Sequence, residues 1–370
     1  MEPTEAIEYQ WPYLLSFLPP AESIENLAVT TGAIKRRRRI TSANTLLRLA
    51  LVYAYCGYSL RQTAAWAEAS GVAEVSDVAL LKRFRASADW MCALMNDVIE
   101  SQVDPLPRAS VGSFTRIRLI DGTTISEPGS AGSDWRVHLG FDLVNHRMVS
   151  LELTSTRAGE SLARFDPIEN ELLIGDRGYA RRSGFEHVVA KGAHFLVRLP
   201  WNALKFNDAT GNAFDLLEWL RTLPEAEPAE VDVRFPGASA PLRIVATRKS
   251  EAAAANARKK ILSRATNHSK RTDPRTLEAA GYIVLITSVP ASRLSHTEAL
   301  ALYRFRWQIE LCFKNLKSIG TLDKLPAKDP NLARMILATK LLGALLVEQL
   351  TTRYVSISPW GYCIRAAASQ

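Results

Sequence analysis

The stretch FTRIRLIDGTTI, residues 114–125, is the point at which the sequence changes from a helical to a strand-like pattern. It predicts a strand that ends at the Asp121-Gly122 pair. Two more strand patterns, DWRVHLGFDL and RMVSLELTST, follow between residues 134 and 156, and a strand, a helix and a strand then occupy residues 172–200. Three consecutive strands followed by a strand–helix–strand unit predict an α/β fold, in which helices cover a mixed sheet.

Residues 1–107 are predicted to form a helical domain, with Ser42 as a helix cap. Within it, residues 59–87 are predicted as helix, Gly-containing turn and helix, and the second helix carries Lys82, Arg83 and Arg85. This pattern resembles a helix-turn-helix that enters a DNA major groove, but a helical hairpin with a basic end has the same pattern. The Pro-containing stretch DPLPRAS, from Asp104, is predicted to be a linker.

Residues 201–281 are predicted to form a mainly β insertion subdomain, with a short Ala-rich helix and a basic, mobile segment over residues 258–276. Strand character returns at residue 282, and two helices follow, one capped near Ser295 and one from about residue 330. The α/β core is therefore predicted to comprise residues 108–200 and 282–345. Residues 346–370 are interpreted as a C-terminal tail.

The composition of the 370-residue chain indicates a partner with negative charge. Its formal net charge is +8 and its pI is about 9.3, which favours attraction to a polyanion. The basic run KRRRR is a solvated charge cluster at minimum and a predicted phosphate-binding segment in a basic protein. Its members are Lys35, Arg36, Arg37, Arg38 and Arg39.

The sequence excludes several other classes of protein. The four cysteines contain no CxxC pair, so neither a zinc site nor a disulfide framework is predicted. The N-terminus is acidic and lacks the features of a signal peptide. The apolar stretch MILATKLLGALLVEQL contains Lys340 and Glu348, and we interpret it as too short to span a bilayer. We therefore predict a cytoplasmic protein that does not contact a membrane.

Two aspartates occupy similar positions at the ends of predicted strands. Asp121 precedes Gly122, and Asp176 lies in the sequence Gly-Asp-Arg-Gly. Each of them could be explained by turn formation alone. If both come from one sheet and Glu310 lies on a helix packed against it, three carboxylates could converge. Carboxylate oxygens are the ligands that Mg²⁺ prefers, and a pair of such ions can cleave a phosphodiester.

The stretch LYRFRWQIELCFKNLKSIG, residues 302–320, is predicted to be an amphipathic helix. Tyr303, Arg306, Glu310 and Lys317 fall within one stripe of about 60° at the helical period of 100° per residue. The stripe is either the solvated face of the helix or one wall of a phosphodiester-cleaving site. In the second case Arg306 and Lys317 would hold phosphates beside the metal ions.

This spacing reproduces the Y-(2)-R-(3)-E-(6)-K signature of DDE transposases of the IS-four insertion-sequence family. LIDGTTI and LLIGDRGY resemble the first and second Asp segments of that family, and the resemblance extends over residues 40–345. It implies an RNase H-like, retroviral-integrase-type core, in which three carboxylates bind two catalytic Mg²⁺ ions that Mn²⁺ can replace. These carboxylates are Asp121, Asp176 and Glu310.

The resemblance also implies a set of DNA contacts near the transposon end. They are made by Tyr303, Arg306 and Lys317, to which we add Arg177 beside the second aspartate. Trp307 either packs near the DNA end or belongs to the core. The sequence departs from the family at its C-terminus, GYCIRAAASQ, where a basic helical continuation is expected and where we interpret the tail as shortened.

We therefore predict a bacterial cut-and-paste transposase. It would bind terminal inverted repeats in double-stranded DNA, cleave the ends by two-metal hydrolysis and join them to target DNA, as a dimer in the DNA complex. Two alternatives remain open at this point. One is a nuclease on the same fold that performs no strand transfer, and the other is a catalytically impaired DNA-binding regulator derived from a transposase.

Overall fold

We describe the protein from a computed structural model. The structure describes residues 11–101, 114–126, 129–145, 147–225, 227–238, 240–267, 271–306, 309–310, 313, 325 and 327–353. The predicted linker, Lys317, Trp307 and the last 17 residues of the predicted tail lie outside this part of the chain.

The N-terminal region is helical, as predicted. A serine side chain accepts a backbone N–H bond at the start of three of its helices, and the predicted cap, Ser42, is one of these. The segment predicted as helix, turn and helix forms α3 and α4. The helices are α1 (Ala21–Thr30), α2 (Ala43–Tyr55), α3 (Leu60–Ala69), α4 (Asp77–Arg85) and α5 (Ala88–Ser101).

An eight-stranded mixed sheet forms the centre of the protein, in the order β3-β2-β1-β4-β5-β10-β9-β8. Strands β1, β4 and β5 are parallel, and the other neighbours pair antiparallel. This confirms the predicted RNase H-like mixed α/β fold. The strands are β1 (Arg116–Ile125), β2 (Trp135–Asp142), β3 (Arg147–Ser155), β4 (Glu171–Gly175), β5 (His194–Arg198), β8 (Ala229–Val233), β9 (Leu242–Arg248) and β10 (Tyr282–Thr287), and a separate hairpin comprises β6 (Phe206–Asn207) and β7 (Ala213–Phe214).

Helices cover both faces of this sheet, over two hydrophobic cores. On one face, the N-terminal helices and α11 share a single buried cluster with β1, β2 and β3. On the other face, α6 and α7 pack on β4, β5, β9 and β10. The remaining helices are α6 (Arg182–Ala190), α7 (Leu216–Arg221), α8 (Glu251–Asn267), α9 (Pro274–Ala279), α10 (His296–Arg304) and α11 (Pro330–Arg353).

The insertion differs from the predicted mainly β subdomain in two respects. Its strand β9 pairs with β10 on one side and with β8 on the other. The two strands therefore extend the main sheet instead of forming a separate one. The basic residues 258–267, predicted to be mobile, belong to α8, which is 17 residues long. The Ala-rich start of α8 has high helix propensity, and the Arg, Lys and Leu residues that follow can continue the helix.

The helix predicted over residues 302–320 is interrupted in its first turns. The capping box of α10 joins Ser295 and Glu298, as the sequence indicates, but α10 ends at Arg304. The N–H groups of Phe305, Arg306 and Ile309 then bond to carbonyls three residues earlier, which is the tighter 3₁₀ pattern. The prediction of one continuous helix is therefore wrong at this point.

Helix α11 is long and apolar enough to cross a membrane, the one such helix in the described part of the chain. It is longer than the 16-residue stretch that the sequence singled out. In the window Pro330–Val347, however, 78% of the residues are buried inside the protein. Its apolar character is explained by this burial in the core.

The strand directions bring several chain segments to one edge of the sheet. Strands β1, β4 and β5 are parallel, and β3 runs in the same direction because it is antiparallel to β2, which is antiparallel to β1. The carboxyl ends of β1, β3, β4 and β5 therefore lie at a common edge. In open α/β sheets, this edge is where ligands bind.

Candidate functional site

Asp121 lies inside β1, and not at its end as predicted. Strand β1 pairs with β4 only as far as Leu119, whereas its pairing with β2 continues to Ile125. Asp121 is thus placed just beyond the last residue of β1 that has a β4 partner. Its Oδ1 accepts the N–H of Gly122 at 2.8 Å, which fixes the carboxylate at this edge.

Asp176 follows β4 directly, as predicted, and lies at the same edge of the sheet. Its side chain caps a short 3₁₀ helix, Arg177–Tyr179, by accepting the N–H of Gly178 at 2.8 Å. Such a turn explains an Asp next to a Gly without any further function. Asp176 differs from an ordinary turn aspartate because it lies near Asp121, whose pKa its charge contributes to raising.

Arg306 connects the first aspartate to the third predicted carboxylate. Its Nη1 lies 3.6 Å from Asp121 Oδ2, and its Nη2 donates to Glu310 Oε1. The side chain of Arg306 is 21% exposed and that of Glu310 is 56% exposed. One guanidinium therefore lies between two of the three predicted metal ligands, and it acts as their counter-ion in the metal-free protein.

The site destabilises negative charge on Asp121. The pKa of Asp121 is raised to about 6, chiefly by burial and also by the charges of Asp176 and Glu160, which outweigh the lowering effects of the Gly122 N–H and Arg306. Burial likewise raises the pKa of Tyr303, a half-buried phenol close to Arg306. Raised pKa values at a cleft are a feature of functional sites.

A fourth carboxylate, Glu160, lies at this edge and was missed by the sequence analysis. A Cβ built on Gly178 would lie 2.0 Å from Glu160 Oε2, and a Cβ built on Gly122 would lie 3.1 Å from Glu160 Oε1. The carboxylate thus fills the space beside both aspartate turns, and Arg136 Nη1 approaches its Oε1 at 3.0 Å. The sequence carries no local signal for it, because Glu160 reaches the site edge only through the direction of β3, which runs parallel to β1.

Tyr179, at the end of the Asp176 turn, adds a buried hydroxyl. The residue is fully buried, and its hydroxyl oxygen has no hydrogen-bond partner among the described residues. Burial raises the pKa of Tyr179, and the charges of Glu160, Asp121 and Asp176 raise it further, in that order. The Tyr179 hydroxyl is therefore within electrostatic range of Glu160, Asp121 and Asp176.

Basic side chains lie along the same edge of the sheet, on the β5 side of β1, whereas Glu160 follows β3 on the other side. Arg177 is exposed after the second aspartate, and Arg198 ends β5. The side chain of Arg198 makes no hydrogen bond or ion pair with any described residue, and its pKa is lowered by burial and by the charges of Arg177 and Arg306. Burial and the charges of Arg198 and Arg177 lower the pKa of Lys249 to about 8. This uncompensated positive charge suits an anionic ligand.

The N-terminal region carries a separate basic groove of about 840 Å³. Two predicted DNA-binding segments, the KRRRR run and α4, both contribute residues to its lining. Arg39 is held by Glu74 at 2.7 Å, and Arg83 donates to the Ala33 carbonyl at 2.7 Å. Three further lining cations make no hydrogen bond or ion pair within the described part of the chain: Lys35, Arg38 and Lys82. Arg37, in contrast, lies outside the lining and pairs with Glu25 at 2.8 Å.

The structure thus brings together much, but not all, of what the sequence predicts. Arg306 contacts both Asp121 and Glu310. The charge of Asp176 contributes to raising the pKa of Asp121 and that of Tyr303. Across the described residues, however, no group of three or more His, Cys, Asp or Glu side chains is close enough to hold a metal ion. The Arg306 guanidinium lies between Asp121 and Glu310.

Comparison with known proteins gives consistent matches. Residues 112–346 match the family model described as "Transposase DDE domain". The chain is 37% identical over 360 residues to the transposase for insertion sequence element IS421 from Escherichia coli, with 94% of this chain and 96% of the relative covered. It is also 37% identical over 359 residues, with the same coverage, to InsL of insertion sequence element IS186A from Escherichia coli (strain K12). The transposase for insertion sequence element IS231E from Bacillus thuringiensis subsp. finitimus is 23% identical over 342 residues, with 80% and 70% covered.

Proposed function

Because the chain belongs to the DDE transposases of the IS-four insertion-sequence family, we propose that it cuts the ends of its own insertion sequence and joins them to target DNA. The single observation that best supports this proposal is the contact of Asp121, Arg306 and Glu310 at the carboxyl edge of an RNase H-like sheet. DNA is the partner that the transposase relatives imply.

We propose that Asp121, Asp176 and Glu310 hold the divalent metal ions of the reaction. The donor set fits Mg²⁺ or Mn²⁺, because it consists of carboxylates. When bound, two such ions would activate the attacking oxygen and stabilise the leaving oxygen of the phosphodiester. Because Arg306 contacts both Asp121 and Glu310, its guanidinium would move away when the two carboxylates bind metal.

The remaining residues at the edge would hold the DNA backbone. We propose that Arg306 exchanges its two carboxylates for a phosphate when the DNA end arrives, because a guanidinium binds phosphate bidentately. Tyr303 and Arg177 would contribute to the same backbone contact, and Arg198 adds a cation that has no ion-pair partner in the described protein. Lys317, which lies outside the described residues, stays a predicted contact.

The basic groove of the N-terminal helices would bind a second stretch of the same DNA. Its support is the convergence of the KRRRR run and α4 on one groove, with three cations that lack a protein partner. Binding of this kind neutralises phosphates and is therefore sensitive to salt. A dimer in the DNA complex and action in the bacterial cytoplasm remain proposals that follow from the transposase relatives.

The experiment that tests this function is excision in a purified system. A linear DNA that carries the sequence element with its terminal repeats is incubated with the protein and Mg²⁺. Strand breaks at the element ends, followed by joining to a target plasmid, are expected. Breaks without joining would favour the nuclease alternative, and binding without breaks would favour the regulator.

A further inference from the structure

Glu160 is the acidic side chain at the site edge to which the proposed reaction assigns no role. Its two carboxylate oxygens have different surroundings. Oε1 faces Arg136 Nη1 at 3.0 Å. Oε2 faces the turn of Asp176: a Cβ on Gly178 would lie 2.0 Å from Glu160 Oε2 and 3.1 Å from Asp176 Oδ1. The two carboxylates therefore meet beside Gly178, where the absence of a side chain lets Glu160 Oε2 approach the Asp176 turn.

Two carboxylates, Glu160 and Asp176, meet at this space. Within the described part of the chain, Glu160 Oε2 accepts no hydrogen bond, whereas Oε1 pairs with Arg136. Burial and the charge of Asp176 raise the pKa of Glu160, against the lowering effects of Arg136 and Arg181. Two carboxylates at short range repel each other, so a cation that joins them would be stabilising. Divalent cations such as Mg²⁺ and Mn²⁺ bind carboxylate oxygens and keep several of their waters.

A second and independent observation concerns the Tyr179 hydroxyl. It is fully buried beside these carboxylates and has no hydrogen-bond partner among the described residues. A buried hydroxyl that makes no hydrogen bond is destabilising. Water held by a cation at these carboxylates could hydrogen-bond to the hydroxyl, so one hydrated cation would satisfy both the charge and the hydroxyl.

We propose that Glu160 is a fourth carboxylate of the active site, which shares a hydrated divalent cation with Asp176, and that water held at this cation hydrogen-bonds to the Tyr179 hydroxyl. The inference rests on the proposed function, because the cation is one of those that the reaction uses. Glu160 thereby acquires a role in metal binding that neither its sequence position nor the Y-(2)-R-(3)-E-(6)-K signature indicates.

The test measures Mn²⁺ binding to the full-length, DNA-free protein, by isothermal titration and by the loss of the free Mn²⁺ resonance signal. Glu160→Gln and Arg136→Gln both break the Glu160–Arg136 ion pair, but only Glu160→Gln removes a ligand. We expect Glu160→Gln to weaken Mn²⁺ binding about tenfold or more. Arg136→Gln should leave binding unchanged or strengthen it, because it removes a competing cation.

Tyr179→Phe supplies a second variant that does not alter charge. Because the hydroxyl has no partner in the metal-free protein, its removal should leave the melting temperature without Mn²⁺ unchanged or higher. It should also reduce the rise in melting temperature that Mn²⁺ causes. An unchanged Mn²⁺ response in both Tyr179→Phe and Glu160→Gln would overturn the proposal.

Comparison of Glu160→Gln with two other variants tests whether Glu160 is itself a metal ligand. Equal weakening by Glu160→Gln and Arg136→Gln would show that Glu160 acts through the ion pair and not as a ligand, which overturns the proposal. Asp176→Asn separates this inference from the proposed function. If Asp176→Asn abolishes binding while Glu160→Gln binds as the wild type does, the fourth ligand is excluded and the three-carboxylate site stands. If the wild type binds no more Mn²⁺ than Asp176→Asn does, the shared cation site is absent.

Discussion

Arg306 Nη1 lies 3.6 Å from Asp121 Oδ2 in the DNA-free protein, and the other terminal nitrogen of the same guanidinium pairs with Glu310. A cation that belongs to the chain thus lies between two carboxylates to which we assign metal binding. A phosphate that withdraws this guanidinium would leave both carboxylates free for metal ions. Binding of the DNA end and loading of the metal site would therefore be coupled through one side chain.

The first prediction concerns Arg306 and DNA binding. Arg306→Ala should weaken binding of a pre-cleaved transposon end. It should also reduce the slope of log affinity against log salt by about one unit, because one phosphate contact is lost. Arg306→Lys should recover only part of the affinity, since a point charge replaces a bidentate pair. A gel shift titrated with salt measures both quantities.

The matched control for this variant is Arg304→Ala, because Arg304 is exposed on the last turn of α10 and belongs to no ion pair in the described protein. Arg304→Ala should bind the DNA end nearly as the wild type does. If Arg306→Ala kept the affinity and the salt slope of the wild type, the residue would be only a counter-ion for Asp121 and Glu310.

The second prediction concerns the stability of the metal-free protein as a function of pH. The pKa of Asp121 rises from 3.8 to about 6 on folding, so deprotonation of Asp121 opposes folding. The resulting loss of stability is absent below pH 3.8, grows as the pH rises to about 6 and is complete above it. Asp121→Asn should therefore stabilise the metal-free protein at pH 7–8, by on the order of 2 kcal/mol, and bring no gain near pH 4.

Urea unfolding at a series of pH values, in the presence of a chelator, measures this difference. Asp166→Asn is the control, because Asp166 is exposed and pairs with Lys191 away from the site edge. Mg²⁺ should stabilise the wild type more than it stabilises Asp121→Asn, which has lost one of the proposed metal ligands. A stability difference between Asp121→Asn and the wild type that does not change with pH would contradict the assignment of the raised pKa to Asp121.

The third prediction compares two neighbouring residues of the KRRRR run. Arg38 lines the basic groove without a protein partner, whereas Arg37 lies outside the lining and pairs with Glu25. Arg38→Gln should therefore weaken DNA binding and reduce the salt slope by about one unit, and Arg37→Gln should have a smaller effect. Full-length protein is required, because the N-terminal helices share their core with α11. Equal effects of the two changes would indicate a diffuse charge contribution from the whole run.

The fourth prediction concerns the glycine after Asp176. A methyl group on Gly178 would lie 2.0 Å from Glu160 Oε2, so Gly178→Ala must displace the Glu160 side chain. We expect a loss of about 1–3 kcal/mol of stability, typical of overpacking, together with weaker Mn²⁺ binding. Gly132→Ala is the control, since a Cβ at Gly132 meets nothing within 4 Å. If Gly178→Ala and Gly132→Ala were equally stable and bound Mn²⁺ equally, the geometry around Glu160 would be contradicted.

The sequence was sufficient for the parts of the structure that depend on local pattern. Alternating apolar runs predicted β2 and β3 nearly to the residue, and Ser42 and Ser295 marked the starts of α2 and α10. The two aspartates were found because each precedes or lies in a glycine-containing turn. Glu310 was found through its spacing from Tyr303 and Arg306.

What the sequence left undetermined depends on contacts between distant segments. Glu160 reaches the site only because β3 runs parallel to β1, and a loop glutamate carries no local sign of this. The interruption of the helix after Arg304 changes the geometry that a constant period of 100° per residue assumes. The position of the Arg306 guanidinium between Asp121 and Glu310 likewise follows from tertiary packing and not from spacing.

The central claim is that Asp121, Asp176 and Glu310 together cut DNA, and cleavage of the element ends tests it most directly. The substrate is the DNA of the insertion sequence with its terminal repeats, incubated with Mg²⁺ and the wild type, Asp121→Asn, Asp176→Asn, Glu310→Gln or the control Asp166→Asn. We predict end cleavage by the wild type and by Asp166→Asn. The three site variants should bind the ends as tightly as the wild type, or more tightly, but cut at background level. Cleavage at the wild-type rate by any one of the three variants would contradict the account.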